Sequence, residues 1–372
     1  MKKLLSIMLS LVMVMTVLTG CGDKKAENSS FFKEAAKMQE IKTGTADMEF
    51  RFNAKGTGIS KDKEIPKQLK NGDNVALNVK VETTAESETK QAIKISAQYG
   101  MTEYAEVTTI VIDGTKLYVN VGALTDFIKS VDETIGKQVE TVFGQLGAGR
   151  YISLDLKQVC QALNIEMPDM SKSTEELQNL TLKVMENLDK SFADIQGKDG
   201  DDYTLTVGSD NADKVAADLV KFCEDGSLKE VYTALMDWYV NIFGADTEMG
   251  KQFAEMKKDS TAQLDEAVKE VKENKDSIVS TLKDAKVNVV AKLNVTGDEG
   301  ERVCKLSVDS GEIKDTDSDI TGSVSFTSNL KEGKASIKEL VPTEGVVDIT
   351  AMVNMMLSQF GAAAGAQGTG LY

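Results

Sequence analysis

Any chemistry in this chain must come from carboxylates, lysines, hydroxyls and thiols, because its 372 residues include no histidine. That removes Ser-His-Asp and Cys-His nucleophile arrangements and every zinc site built with imidazole. It also removes the usual general base near neutral pH. There is no Walker-type glycine-rich loop ending in Lys-Ser/Thr, and no Gly-x-Gly-x-x-Gly turn after a strand. The densest carboxylate group is Asp315-Thr-Asp-Ser-Asp319, with acids at alternate positions as a Ca²⁺ turn would need. An EF-hand loop requires glycine sixth and glutamate twelfth, where this chain has Ile320 and Phe326. A solvated loop is the better reading, and the acidic turn Lys198-Asp-Gly-Asp-Asp202 reads the same way. The expectation is a non-enzymatic protein with no cofactor and no metal.

Four cysteines remain to be placed. Cys160, Cys223 and Cys304 show no ligand-like spacing. They read as small buried hydrophobes, with a Cys160–Cys223 disulfide as the alternative. Cys21 has a different context. Lys2 and Lys3 precede an apolar run from Leu4 to Leu18, broken only by Ser6, Ser10 and Thr16, and Leu18-Thr19-Gly20 leads directly into Cys21. The run is shorter than the roughly 20 residues of a membrane span and has the length of a signal-peptide core. Leu18-Thr19-Gly20-Cys21 resembles the lipobox of bacterial lipoproteins. The resemblance implies removal of residues 1–20, a diacylglyceryl thioether on Cys21 and often N-acylation, palmitate being a typical chain. Two or three acyl chains anchor stably where one does not. Residues 21–30 would then be a lipidated polar tether, holding the protein on the extracytoplasmic face of the cell membrane.

The charge balance fits a lipid rather than an electrostatic anchor. Against 59 Asp+Glu there are 43 Lys+Arg, a formal net charge of −16. Loss of Lys2 and Lys3 with the leader would make it more negative. Such a chain disfavours nucleic acid and is repelled by anionic headgroups.

The elements around these residues follow from periodicity. Phe31, Ala35, Met38 and Ile41 predict a short helix over 31–42, capped by Ser30. Strict alternation follows in Ala46-Met48-Phe50-Phe52, Val75-Leu77-Val79-Val81, Ile93-Ile95-Ala97-Tyr99, Val107–Ile112 and Leu117-Val119-Val121, with a turn at Asp113-Gly114. Residues 54–73 read as a long exposed loop. Helical spacing then dominates, with one stripe from Leu124 to Phe143, a short helix over 155–164 and a helix opened by a Ser173/Glu176 capping box. A brief strand at Tyr203–Val207 and three more helices follow, the last over 247–283. Strands return as Val287–Val295 with Val303–Val308, and as Ile320–Phe326 with Ala335–Leu340 across Asn329–Gly333. An amphipathic segment, Val346–Phe360, precedes a disordered tail.

Three features have two readings each. Tyr232, Trp238, Tyr239, Ile242 and Phe243 form a sheet-facing core stripe or line a ligand cavity or partner surface. The glycines of Phe143–Tyr151 make a plain linker or a movable lid. Met352, Met355 and Met356 belong to a helix closing the core or to an adaptable contact surface.

Because both strand groups are hairpins, the expected class is α+β. The expected architecture is one curved antiparallel sheet, a half-barrel, over residues 31–345, with a helical insertion at about 124–284 packed on its apolar face. Separate lobes divided near 150 and 285 are the alternative. Phe32-Lys-Glu-Ala-Ala-Lys-Met-Gln-Glu-Ile-Lys-Thr-Gly-Thr-Ala-Asp-Met-Glu-Phe and Asp113-Gly-Thr-Lys-Leu-Tyr-Val-Asn-Val resemble segments of the LolA/LppX-like lipoprotein-carrier superfamily. That resemblance implies a lipid or other amphiphilic ligand held between sheet and helices. The competing expectation is a cell-envelope structural or protein-interaction module with a filled core. A solute receptor of paired α/β lobes is disfavoured, since no βαβ units are present.

Overall fold

In the computed structural model the alternating segments become strands of one sheet. It describes residues 30–355 apart from 39, 62–66, 101, 146, 148, 163–169 and 315–318. Cys21, the leader, most of the tether, residues 315–318 of the acidic cluster and the tail from 356 lie outside the described residues. Helix α1 (Phe31–Met38) is followed by β1 (Gly44–Lys55), β2 (Lys70–Asn71), β3 (Asn74–Ser87), β4 (Lys90–Tyr99), β5 (Ala105–Asp113) and β6 (Lys116–Val119). Asp113 pairs with Lys116, so the β5–β6 turn has two loop residues, the first being Gly114 at φ +64°. Glycine takes that backbone conformation without steric cost.

Helices α2 (Val121–Val131) and α3 (Glu133–Gln145), strand β7 (Tyr151–Asp155) and helices α4 (Leu156–Ala162) and α5 (Met170–Ser191) come next. Strands β8 (Gln196–Asp199) and β9 (Asp202–Gly208) precede α6 (Ala212–Glu224), α7 (Ser227–Phe243), α8 (Glu248–Glu273) and α9 (Lys275–Asp284). The chain closes with β10 (Asn288–Thr296), β11 (Val303–Asp309), β12 (Ile313–Lys314), β13 (Thr321–Glu332) and β14 (Val346–Asp348), then a helical turn over 350–355.

All fourteen strands join one open, curved sheet in the order β14-β7-β6-β5-β4-β3-β1-β13-β11-β10-β9-β8, with β2 on β3 and β12 on β13. Among the described residues only β14 and β7 pair in parallel. The class is α+β, and the early and late strand groups share the sheet. Their join is the pairing of β1 with β13, from Gly44 opposite Glu332 to Lys55 opposite Thr321.

Several boundaries differ from expectation. The 124–143 stripe is two helices, because Asp132 is extended and its carboxylate caps Thr134 and Ile135 at 2.8 and 3.0 Å. The 247–283 stripe likewise breaks at Asn274. Helix α5 begins at Met170, so Ser173 is inside it and is not its cap. The stretch expected to be helical also supplies β7 and β8. The 54–73 loop is not wholly exposed, for Ile59 is buried in the core.

The expected Ile320–Leu340 hairpin is absent. β13 runs on through Asn329 to Glu332, and residues 334–345 cross the opposite face of the sheet as a strap. Ile337 is buried there against Ala92 and Val111, and its N–H donates to Glu86 at 3.1 Å. That burial explains why 335–340 looked strand-like. The strap delivers β14 to β7, and Val346 is therefore strand rather than the start of a helix.

Candidate functional site

The two halves of the helix-bearing face differ. On β10, β11 and β13, Leu293 is 0% exposed, Cys304 0%, Leu306 2% and Val324 3%. They form the main core with Phe31, Phe32, Ala35 and Met38 of α1, Met185 of α5 and Val287 before β10. Burying such side chains is worth about 1.5–3 kcal/mol each.

On β1, β3, β4 and β5 several side chains of the same face are only half-buried, although Ala97, Tyr99 and Thr108 are buried and Phe50 packs against the main core. Pairing register places Phe326, Phe50, Val79 and Ala97 in one row across the sheet. Ser328, Met48, Val81, Ile95 and Thr108 form the next row. Met48, Phe50, Val79, Val81 and Ile95 all remain partly accessible. The helices packing most closely on the sheet stand on either side of these rows: α1 on β9 and β10, α2 on β5. An apolar strip with no charged inward-facing residue among these rows is left between them.

Polar groups border the strip at α2. Tyr99 is edge-on to Phe127 with ring centroids 6.1 Å apart, and its hydroxyl donates to Ser130 Oγ at 2.9 Å. Asn120 caps α2 by accepting from Ala123 N–H at 3.0 Å. Its amide donates to Glu106 at 2.9 Å, and the Thr108 hydroxyl donates to the Asn120 carbonyl at 3.2 Å. The arrangement suits an elongated apolar group whose polar end reaches the Tyr99–Ser130 pair, while Glu106, opposite Ser96, belongs to the other face of the sheet. Among the described residues of this strip and its border no two carboxylates converge.

The other singled-out residues lie elsewhere. Asp319 accepts from the backbone N–H of Thr57 at 2.9 Å and from its hydroxyl, bracing a loop. Asp199 pairs with Lys292 at 2.8 Å and Asp202 accepts from Asn294 at 3.0 Å, both at the β8–β9 turn. The aromatic stripe of α7 does not face the sheet as expected. It packs on α8, where Tyr239, Phe243 and Phe253 stack, and the Tyr232 hydroxyl bonds Ser260 at 2.7 Å. Gly149 abuts Gly345, whose carbonyl oxygen is 2.6 Å from where a Cβ would be, so that segment is seated against the strap's end. Met352 is partly buried and Met355 exposed. Cys160, Cys223 and Cys304 are free thiols. Burial pushes the Cys304 thiol up to about 11, which leaves it unreactive.

One cluster gave no sequence signal. Arg302 is buried and bonds Glu332 at 2.8 Å, Glu40 and the Lys37 carbonyl, locking the end of α1 to β11 and β13. Burial works against its charge, but the two carboxylates outweigh it and raise its pKa.

Comparison with models of known families, with curated proteins and with solved structures finds no match. Among the described residues no helix is long and apolar enough to cross a membrane.

Proposed function

We propose that the protein is a lipid-anchored extracytoplasmic lipoprotein that binds an apolar or amphiphilic ligand, without catalysis, on the inner face of a half-barrel. The observation carrying this reading is the partly accessible apolar strip over β1, β3, β4 and β5, beside an otherwise well-filled core. An acyl chain laid along it gains about 0.8 kcal/mol per buried CH₂, and a headgroup would meet the polar border at α2. Leu18-Thr19-Gly20-Cys21 supports the anchor, with residues 1–20 as leader and 21–30 as tether. The remaining helices, an insertion between the two strand groups, would form the ligand's outer wall. The likeness to LolA/LppX-like carriers rests on sequence pattern alone.

Native mass spectrometry of protein purified gently from its host, followed by organic extraction, tests the proposal. A reproducible mass excess that extracts as lipid supports it. A bare mass that gains nothing on incubation with lipid overturns it.

A second reading, a cell-envelope interaction module, has its own observation. Helix α3 packs on α2, yet Ile135 is 51% exposed and Val142 56%. An apolar stripe left open on a helix is a common mark of a protein contact.

A further inference from the structure

The sheet face opposite the helices carries a second feature. Two consecutive rows of outward-facing residues line a trough of about 600 Å³. The first row is Lys80, Glu49, Thr327, Ser307 and Lys292, and the second is Asp47, Asn329, Lys305, Asn294 and Asp202. Each member is directly opposite the next on neighbouring strands, except that Asn294 reaches Asp202 just past the end of the pairing by a 3.0 Å hydrogen bond, so the trough runs across the strands from β3 to β9. At roughly 4.8 Å per strand this is about 24 Å long.

Its chemistry is unlike that of the chain as a whole. In a protein of net charge −16 the trough has three lysines, Lys80, Lys292 and Lys305, matched by three carboxylates, Asp47, Glu49 and Asp202. The middle of the floor is made by Thr327, Ser307, Asn329 and Asn294 around the single charge of Lys305. Much of the charge is already satisfied: Lys292 pairs with Asp199, and Lys80 with Glu82 at 3.1 Å. Two polar groups at the centre are not. Asn329 Oδ1 is buried with no hydrogen-bond partner, and Lys305, opposite it, is exposed with none. At the Glu49 end the Tyr104 hydroxyl donates to Glu49 at 2.5 Å and leaves the residue 42% exposed.

We propose that this trough is a second binding site, for a neutral polyhydroxylated chain, that is, an oligosaccharide. A sugar hydroxyl both donates and accepts, so it pairs equally with amide, carboxylate, ammonium and hydroxyl groups in alternation. Balanced charge gives a polyanion or polycation no net attraction. The side chains of Met48 and Leu306 point to the other face, so the floor has no apolar socket for an acyl chain. A peptide strand would add to a sheet's edge, where backbone groups are open, whereas a sheet's face offers it none. Length, neutrality and mixed donors and acceptors select a saccharide.

Isothermal titration calorimetry of the purified protein with cellohexaose, maltohexaose and chitohexaose tests this. Hexagalacturonate and hexaalanine serve as charged and peptide comparators. At least one neutral hexasaccharide binds, and Asn329→Ala weakens it tenfold or more. Lys305→Ala, at an exposed position that folding tolerates, also weakens it severalfold, and keeps the test decisive if Asn329→Ala lowers stability. Lys269→Ala, on the exposed side of α8 and away from the trough, leaves it unchanged. Binding of no neutral hexasaccharide, binding of the comparators only, or affinity unaltered in Lys305→Ala overturns the proposal.

Discussion

Arg302 Nε lies 2.8 Å from Glu332 Oε2 at a buried point where the end of helix α1 meets the sheet. The guanidinium is the cation shared by Glu332 and Glu40. Arg302→Ala removes this cation from both partly buried carboxylates. It should cost about 3–5 kcal/mol, read as a fall in the urea midpoint. Arg302→Lys cannot span both acids and should recover only part of the loss.

Asp218 on α6 is buried, and one of its oxygens has no partner. Burial, reinforced by the negative charge of Asp194, raises its pKa despite Lys221 and Lys214. The folded state therefore holds the proton to higher pH than the unfolded state. This group's contribution is fully present below the unfolded value and is lost as pH rises through the folded one. Asp218→Asn should raise the melting temperature at pH 7 and bring little gain at pH 3, measured by thermal denaturation at both.

Val79 lies mid-strip on the proposed ligand face and is only half-buried. Val79→Asp should leave a folded protein, destabilised by about 1–3 kcal/mol, whose co-purified lipid is lost. Retention of the full lipid excess would place the ligand elsewhere.

Ile337 pins the strap on Ala92 and Val111. Ile337→Ala should cost about 2–5 kcal/mol. Hydrogen exchange should accelerate first in β14 and β7, which depend on the strap for their register, and last in β10 and β11.

Ile135 and Val142 are exposed on α3, so replacing both by lysine should change stability by less than about 1 kcal/mol. If that variant lost a partner captured by the wild type while keeping its lipid, the interaction reading would gain over the carrier reading.

The alternation in β1, β3, β4 and β10 was legible because the sheet has one apolar face, which period-two patterning reports directly. The sharing of one sheet between the two strand groups followed from hairpins that each needed to bury that face. Residues 335–340 misled, because an alternating segment looks the same whether it joins a ladder or crosses a sheet by burying Ile337. β7 was missed because five residues, Tyr151–Asp155, are too few to establish a period next to glycines and a helix cap. The apolar face was expected either to hold a ligand or to be filled core, since patterning says which side chains face inward and not whether a helix covers them. The trough was hidden for the complementary reason: its lysines, acids and amides occupy the solvent half of the alternation, and only strand order places Lys305 beside Asn329.

Strand β1 is bonded on both sides, to β3 nearby in sequence and to β13 from nearly the other end of the chain. The first strand to emerge is thus among the last to be completed. Until residues 321–332 arrive, β1 keeps one bare edge along all its length, open to pairing with another chain. Closure over so large a sequence separation is slow. A chain held unfolded until it has fully crossed a membrane avoids that exposure, whereas one truncated before residue 321 should aggregate through β1.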